Sequence, residues 1–409
     1  MFRNVFHKLR STVLFQPLAR SSSHFKRFVI DQLPAHPVKN AALPLGFFKN
    51  KVVTPQKVVL KNFDIAEVNF MGGGGKGFAY LGFLRALQEQ GILKNIKCVS
   101  GTSAGAIFGL PLAFGMGNDS VKLLELFFGD EIFLNILNEI SLEEISSYVE
   151  TGFENDGIGL GEKLLSFKNF IKKIVAQGAY AGGKNLQIAL ENMLEKFILE
   201  ADVASPGLAD VFEDLRHPTF VELEYVRQKF PCAGFRSLSV ALTNQKGERA
   251  DANSRTMPNV SITIALLASA AIPGLFPGVK IKESLFYDGG LRQNIGAMSG
   301  LYPAQNCLVV GFKPELKMTR VINGFFSEVL YGVNHQVMGD YTFSLAKNNV
   351  YGHFVGIPHG ELKFFDLPPK KEIAEQAILL AYDAAKLQLS TLVNASDLLL
   401  ETSAHLSCL

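Results

Sequence analysis

In the first folded part of the chain, the spacing of apolar residues alternates between a strand pattern and a helix pattern. Mostly apolar runs at 65–70 and 96–99 predict core strands, and helical spacing over 78–90 predicts a helix that ends at Gly91. A second helix is predicted to begin near Ala104. This strand, helix, strand, helix order favours a parallel sheet covered by helices.

The pattern then changes. Helical periodicity and charged residues dominate about 115–235, strand-like runs return at 238–243, 281–287 and 307–312, and an amphipathic helix follows over 371–392. We therefore expect an α/β protein: a three-layer α/β/α sandwich with a mostly parallel central sheet and an inserted helical lid.

One apolar stretch, 256–279, is long enough to span a bilayer. Prolines and glycines break it, and the part left at 261–271 has the length of a buried core helix. We predict core packing there rather than a membrane span.

The first 63 residues differ in composition from the rest. Residues 1–30 carry six basic side chains and no acidic one, with apolar residues at helical spacing, and 31–60 has the prolines of a linker. The basic segment fits an organelle presequence, an interfacial membrane helix or a basic terminus equally well. The predicted organisation is this segment, a main domain at 64–395 and a tail at 396–409.

Charge and cysteine spacing argue against several classes of function. The net charge of +2 gives no field that favours nucleic acid. The cysteines, Cys98, Cys232, Cys307 and Cys408, show no CxxC or Cys/His pairing, so neither a zinc site nor a disulfide framework is expected. Free thiols in a reducing compartment are predicted.

A candidate nucleophile lies in GTSAG, residues 101–105, between a predicted strand and a predicted helix. Small residues around a serine permit the sharp strand-to-helix turn that exposes its hydroxyl. Ser103 is the predicted nucleophile, and Gly101 and Gly105 permit the turn. Because the pattern is frequent by chance in a glycine-rich chain, its position between strand and helix carries the inference.

A glycine-rich loop, GGGGKG, follows the first strand and opens the first helix, so its backbone N–H groups favour a negative ligand. A dinucleotide site would need an acidic residue where Ser100 and Gly101 end the second strand. A nucleotide-phosphate loop would need Ser or Thr in place of Gly77.

An oxyanion hole is the interpretation that gives this loop and Ser103 one task. The backbone N–H groups of Gly73 and Gly74 would stabilise the intermediate formed when the serine attacks an ester. The whole predicted loop is Gly72, Gly73, Gly74, Gly75, Lys76 and Gly77.

A serine hydroxyl needs a base at neutral pH. Asp288 lies at the end of a predicted strand in FYDGG, and Gly289 and Gly290 let the backbone approach another loop closely. Asp288 is the predicted base of a dyad with Ser103. An α/β-hydrolase triad that adds His359 is also permitted, although its place between a proline and a glycine is typical of a surface turn.

Four motifs together resemble the patatin-like phospholipase domain. They are GGGGKG, GTSAG, the ASAAIPGLFP segment at 268–277 and YDGG, in the family's order and spacing, and the resemblance spans roughly 64–390. It implies a phospholipase A or lysophospholipase that forms an acyl-enzyme, with Ser103 as nucleophile and Asp288 as base. The glycine loop is most similar in style to bacterial patatin-like effectors.

The resemblance also implies cofactors, partners and location. It implies no metal or other cofactor, a phospholipid membrane surface as the place of action, and a host protein activator as a candidate partner. Lys76 matches the family's basic position. A peripheral membrane or cytoplasmic location, with secretion into host cells, would fit; organelle targeting by the basic segment is the alternative.

A function of a different class stays open. The chain could be a non-catalytic membrane-binding module that keeps the fold and uses its basic amphipathic terminus as an anchor. Such a module would bind membranes regardless of Ser103→Ala.

Overall fold

The computed structural model describes residues 65–116, 182–273, 275–292, 306–312, 353–362 and 369–406, with single positions between them. The predicted N-terminal segment, the tail beyond 406 and most of 117–181 lie outside the described residues. The predicted domain boundaries therefore stay predictions.

The described residues form one eight-stranded mixed sheet. Its strands are β1 (Glu67–Phe70), β2 (Cys98–Thr102), β3 (Ser237–Asn244), β4 (Arg249–Asn253), β5 (Val279–Ile281), β6 (Ser284–Asp288), β7 (Cys307–Phe312) and β8 (His353–Ile357). They lie in the order β5-β6-β3-β2-β1-β7-β8, with β4 pairing on β3. Strands β3, β2, β1, β7 and β8 are parallel, whereas β4, β5 and β6 pair antiparallel.

Helices pack on this sheet. They are α1 (Tyr80–Glu89), α2 (Ala104–Ala113), α3 (Lys184–Ala204), α4 (Phe220–Lys229), α5 (Ile262–Ser269) and α6 (Lys371–Leu406), with 3-10 turns at Gly74–Ala79, Ile92–Asn95, Ala209–Val211, Pro231–Ala233 and Gly289–Leu291.

Opposite faces of β2 and β3 meet different helices, because successive side chains of a strand point to opposite sides. On one face, Val99 lies against α2 at Gly109. On the other, Ser237 donates a hydrogen bond to Glu224 of α4 at 2.7 Å. The architecture is the predicted α/β/α sandwich.

The apolar face of the sheet forms the core beneath α1. Phe70 packs edge-on against Tyr80 and Phe83, with ring centroids 5.2 and 5.9 Å apart. Helix α6 crosses α1 at Gly82, where a Cβ would overlap the carbonyl oxygen of Ile378. These two helices thus pack backbone to backbone, which only glycine permits.

One detail of the sheet positions the candidate site. The first part of β3 pairs with β2 and ends at the Thr102–Ala241 pair. The next residues of β3 pair with β6, beginning at the Leu242–Asp288 pair. Strand β4 pairs with residues of β3 from both of these stretches. Because β4 occupies one edge, β2 and β6 must share the other edge, end to end. We call this meeting of the two carboxyl ends the β2/β6 junction.

Several predicted elements need correction. The run at 281–287 is a hairpin of β5 and β6, whose turn contains Lys282 with φ of 54°. Strand β2 lies later than the predicted 96–99, and α6 continues well beyond 392. Strands β4 and β8 were not predicted.

The apolar stretch at 256–279 folds as core. It contains α5, which is buried on most of its residues, and ends at the first residue of β5. Within the described part of the chain, every helix is too short or too polar to cross a bilayer. Cys98 and Cys307 are buried free thiols and Cys232 is an exposed one.

Candidate active site

Ser103 occupies a strained turn between β2 and α2. Its φ of 53° and ψ of −129° lie outside the regions that side-chain-bearing residues favour, and such backbone costs about 1–3 kcal/mol. The residue is buried, with 7% of its surface exposed. The predicted strand-to-helix turn is therefore present, and it directs one hydroxyl out of the end of β2.

Asp288 is the last residue of β6 and is also buried, with 5% exposed. One carboxylate oxygen accepts a hydrogen bond from the backbone N–H of Gly290 at 2.7 Å. Burial raises the pKa of Asp288 from 3.8 to about 6, while hydrogen bonds from the Ser103 side chain and from Gly290 act in the opposite direction. The carboxyl therefore exchanges its proton closer to neutral pH than an exposed aspartate does.

The β2/β6 junction brings these two residues into contact. Ser103 directly follows Thr102, which pairs with Ala241, and Asp288 pairs with the next residue of β3, Leu242. The Ser103 side chain is close enough to the Asp288 carboxylate to lower the pKa of that group. Two polar groups far apart in sequence thus form a buried pair.

The glycine loop lies against Ser103. A Cβ on Gly72 would lie 3.3 Å from the Cβ of Ser103, and the loop passes into the 3-10 turn that begins at Gly74, where φ is 56°. The first N–H groups of a helix have no partner within the helix. The N–H groups of Gly73, Gly74 and Gly75 lie at the start of this turn, where the helix itself offers them no partner.

Gly72 and Lys76, two residues of the predicted loop, use their N–H groups in backbone hydrogen bonds within the protein. The N–H of Gly72 donates to the carbonyl oxygen of Asn294 at 3.2 Å, and that of Lys76 donates to Gly73 at 3.3 Å. The side-chain amide of Asn294 donates to the Gly72 carbonyl at 3.2 Å. Asn294 thus fixes the start of the loop; sequence reasoning missed it, although it lies six residues after Asp288.

The other predicted glycines allow close approach. A Cβ on Gly105 would overlap the Met71 carbonyl oxygen, and one on Gly101 would lie 2.6 Å from the backbone of Ala106. The remaining close approaches are Gly77 to Phe108, Gly289 to Ala241, and Gly290 to the Asp288 carboxylate. Any side chain at Gly105 would move α2, and Ser103 with it.

His359 is buried rather than at the surface, with 6% exposed, so the expectation of a surface turn was wrong. Its ring stands edge-on to Phe312, with centroids 5.8 Å apart, and the Phe312 ring fills the space beside Gly73. Strand β8 lies three strands from β2, or about 14 Å. His359 follows β8 and packs against Phe312, which in turn lies beside Gly73.

The end of α5 contains contacts that the sequence did not reveal. The Ser269 hydroxyl accepts the backbone N–H of Ser103 at 2.8 Å, and the carbonyl of Ala271 accepts the N–H of Asp288 at 3.0 Å. Both residues belong to the ASAAIPGLFP segment. That motif was the available signal, but it did not point to individual contacts.

The described residues contain no cluster of three or more histidine, cysteine or acidic side chains arranged to bind a metal ion. The groups that the described residues bring together near Ser103 are its hydroxyl, the Asp288 carboxylate and the backbone of the glycine loop. These are the parts of an acyl-transfer site.

Comparison with known proteins defines the class. A sequence model described as patatin-like phospholipase matches residues 70–301, more than half of the chain. The chain therefore belongs to the patatin-like phospholipase family, a family of lipid hydrolases. No significant match is found among curated proteins.

Among solved structures, the fold is similar to VipD from Legionella pneumophila at 22% identity and a TM-score of 0.46, covering 80% of this chain and 67% of VipD. It is also similar to the type III effector ExoU at 21% identity and a TM-score of 0.43, over 80% of this chain and 53% of ExoU. Full-length ExoU from Pseudomonas aeruginosa in complex with SpcU gives 17% identity, a TM-score of 0.44, and coverage of 80% and 52%. The chain thus spans about half the length of ExoU, and these likenesses concern the fold alone.

Proposed function

We propose that the protein is a phospholipase A that hydrolyses carboxylic esters of membrane phospholipids through a Ser103–Asp288 dyad, without a metal ion. The observation that carries this proposal is the contact of Ser103, on a strained turn, with a buried carboxylate. Family membership supplies the lipid substrate class.

The reaction follows from this geometry. At neutral pH most of the Asp288 carboxyl is ionised, because its pKa is about 6. Asp288 accepts the Ser103 proton as the serine oxygen attacks the ester carbonyl. The N–H groups of Gly73 and Gly74 stabilise the resulting oxyanion.

Collapse of this intermediate breaks the bond to the lysophospholipid alkoxide, which takes the proton from Asp288 and leaves. Water then attacks the acyl-enzyme while Asp288 accepts its proton. Fatty acid is released, and the proton returns to Ser103. Each step uses one carboxyl, one hydroxyl and backbone donors.

The dyad is favoured over the triad by position. A triad histidine must hydrogen-bond both the nucleophile and its carboxylate partner. Asp288 instead interacts directly with Ser103, whereas the ring of His359 packs edge-on against Phe312.

The test is release of fatty acid from mixed phospholipid vesicles by wild type, Ser103→Ala and Asp288→Asn, each with and without chelator. Both variants should lose about a thousandfold or more, and chelator should leave the wild type unchanged. Ser239→Ala, which removes another buried hydroxyl of the sheet, is the matched control and should stay active. Activity that survives Ser103→Ala would contradict the dyad.

Product analysis in the same assay addresses the finer activity. Release from one acyl position defines a phospholipase A of that specificity, and release from lysophospholipid adds lysophospholipase activity. Addition of host-cell extract tests the predicted protein activator. The membrane surface as partner and delivery into host cells stay predictions.

A further inference from the structure

Ser269, the last residue of α5, is completely buried beside the strained turn. Its hydroxyl oxygen accepts the backbone N–H of Ser103 at 2.8 Å and its proton is donated to the Ala241 carbonyl at 2.7 Å. One hydroxyl thus connects the nucleophile's backbone to β3. A hydroxyl can donate and accept at once, which alanine cannot do.

The same end of α5 also contacts the other member of the pair. Two residues after Ser269, the Ala271 carbonyl accepts the N–H of Asp288 at 3.0 Å. Ala241 lies between the two contacts, and Gly289 approaches its carbonyl so closely that a Cβ would overlap it. The segment 269–271 therefore touches the backbones of both reacting residues.

We propose that Ser269 is a positioning residue, which maintains the strained backbone of Ser103 and with it the placement of the Ser103 hydroxyl beside Asp288. This inference rests on the proposed function. The backbone of Ser103 is in an unfavourable region, so it persists only while surrounding contacts favour it. Its N–H bond to Ser269 is such a contact, made at the strained residue itself.

A purely structural role makes different predictions. If Ser269 only stabilised the fold, its loss would reduce the amount of folded protein but not the chemistry of each folded molecule. If it positions Ser103, its loss weakens the hydrogen bond that lowers the Asp288 pKa. The pH dependence of the reaction should then change as well.

The experiment measures kcat, KM and the acid limb of the pH profile for full-length wild type, Ser269→Ala and Ser269→Thr, with Ser239→Ala as control. Ser269→Ala should reduce kcat by about 10- to 100-fold, with little change in KM, and move the acid limb to higher pH. Ser269→Thr retains the hydroxyl and should recover most of kcat. Ser239→Ala loses a buried hydroxyl bonded to Asn253 and should leave both readouts near wild type.

Folded sites are counted by titrating Ser103 with a fluorophosphonate, whose labelling rate also reports the geometry of the turn. If Ser269→Ala does not fold, Ser269→Cys decides, because sulfur retains the volume but forms weak hydrogen bonds. A kcat, acid limb and labelling rate equal to wild type in the folded variant would overturn the positioning role. If the wild type is no more active on lipid than Ser103→Ala, the proposed function is rejected. Slower labelling of Ser269→Ala than of wild type would still support the positioning role in that case.

Discussion

At the scale of single residues, the candidate site depends on a carboxyl group whose burial disfavours its ionised form. Asp288 is buried, and only the Ser103 hydroxyl and the Gly290 N–H lower a pKa that burial raises. A surface aspartate would be ionised at lower pH but would be a weaker base. Burial therefore matches the carboxyl to proton transfer near neutral pH.

The pH dependence of the reaction should show this directly. Because Asp288 must be ionised to accept a proton, kcat/KM of the wild type should fall as pH decreases through about 6. The measurement is hydrolysis of a soluble ester across pH 4.5 to 8. An acid limb near 4 would contradict the buried base.

Replacement of His359 separates the dyad from the triad. His359→Phe preserves an aromatic ring beside Phe312 and removes the imidazole, so kcat/KM should change by less than about fivefold, whereas loss of a triad histidine costs a thousandfold or more. Phe312→Ala, which empties the space beside Gly73, should impair the loop more. A thousandfold loss in His359→Phe would favour the triad.

Residue chemistry was predictable from the sequence only where a motif specifies it. Ser103 and Asp288 were predicted because several motifs occur together: a glycine loop, a serine between strand and helix, and an aspartate before two glycines. The burial of His359 and the contacts of Ser269 and Asn294 depend on residues distant in the chain, so local pattern could not reveal them.

At the scale of elements, strand limits were predicted best where an uninterrupted apolar run marks them. Strand β7 has the predicted limits because its apolar run begins directly after Asn306. Strand β4 contains charged Arg249 and Asp251 and exists through its pairing with β3. The hairpin of β5 and β6 was missed because Lys282 turns with positive φ, where glycine or asparagine would be the usual signal.

The crossing of α1 and α6 gives a test of packing. Gly82→Ala places a methyl group onto the backbone of Ile378 and Tyr382, so the two helices must separate, at a cost of about 1–3 kcal/mol in the free energy of unfolding. Urea unfolding measures this. Leu387→Ala, at a side chain on α6 that is 71% exposed, should change stability by less than about 0.5 kcal/mol. Equal effects of the two changes would contradict the close crossing.

At the scale of the whole molecule, the candidate base reduces stability. Raising the pKa of Asp288 from 3.8 to about 6 means that the folded state binds its proton more tightly than the unfolded state. Stability from this group is present at low pH and is lost as pH rises through 6, by about 3 kcal/mol in all. Catalytic competence and stability therefore oppose each other here.

Asp288→Asn should reveal this opposition. At pH 8 the variant should unfold at higher urea concentration than wild type, because it lacks the buried charge, and the difference should shrink as pH falls from 6 towards 4. Exposed Asp210→Asn controls for the general loss of one negative charge. A variant less stable than wild type at pH 8 would contradict the burial of an ionised carboxyl.

The β2/β6 junction has a consequence for how the molecule acquires activity. The junction exists only when both β2 and β6 have paired with β3, and long stretches of chain separate all three. Contacts between distant segments form slowly, because the intervening chain must first lose its freedom. During refolding, helical structure should appear early, and reactivity of Ser103 should return only when the last of these strands has joined.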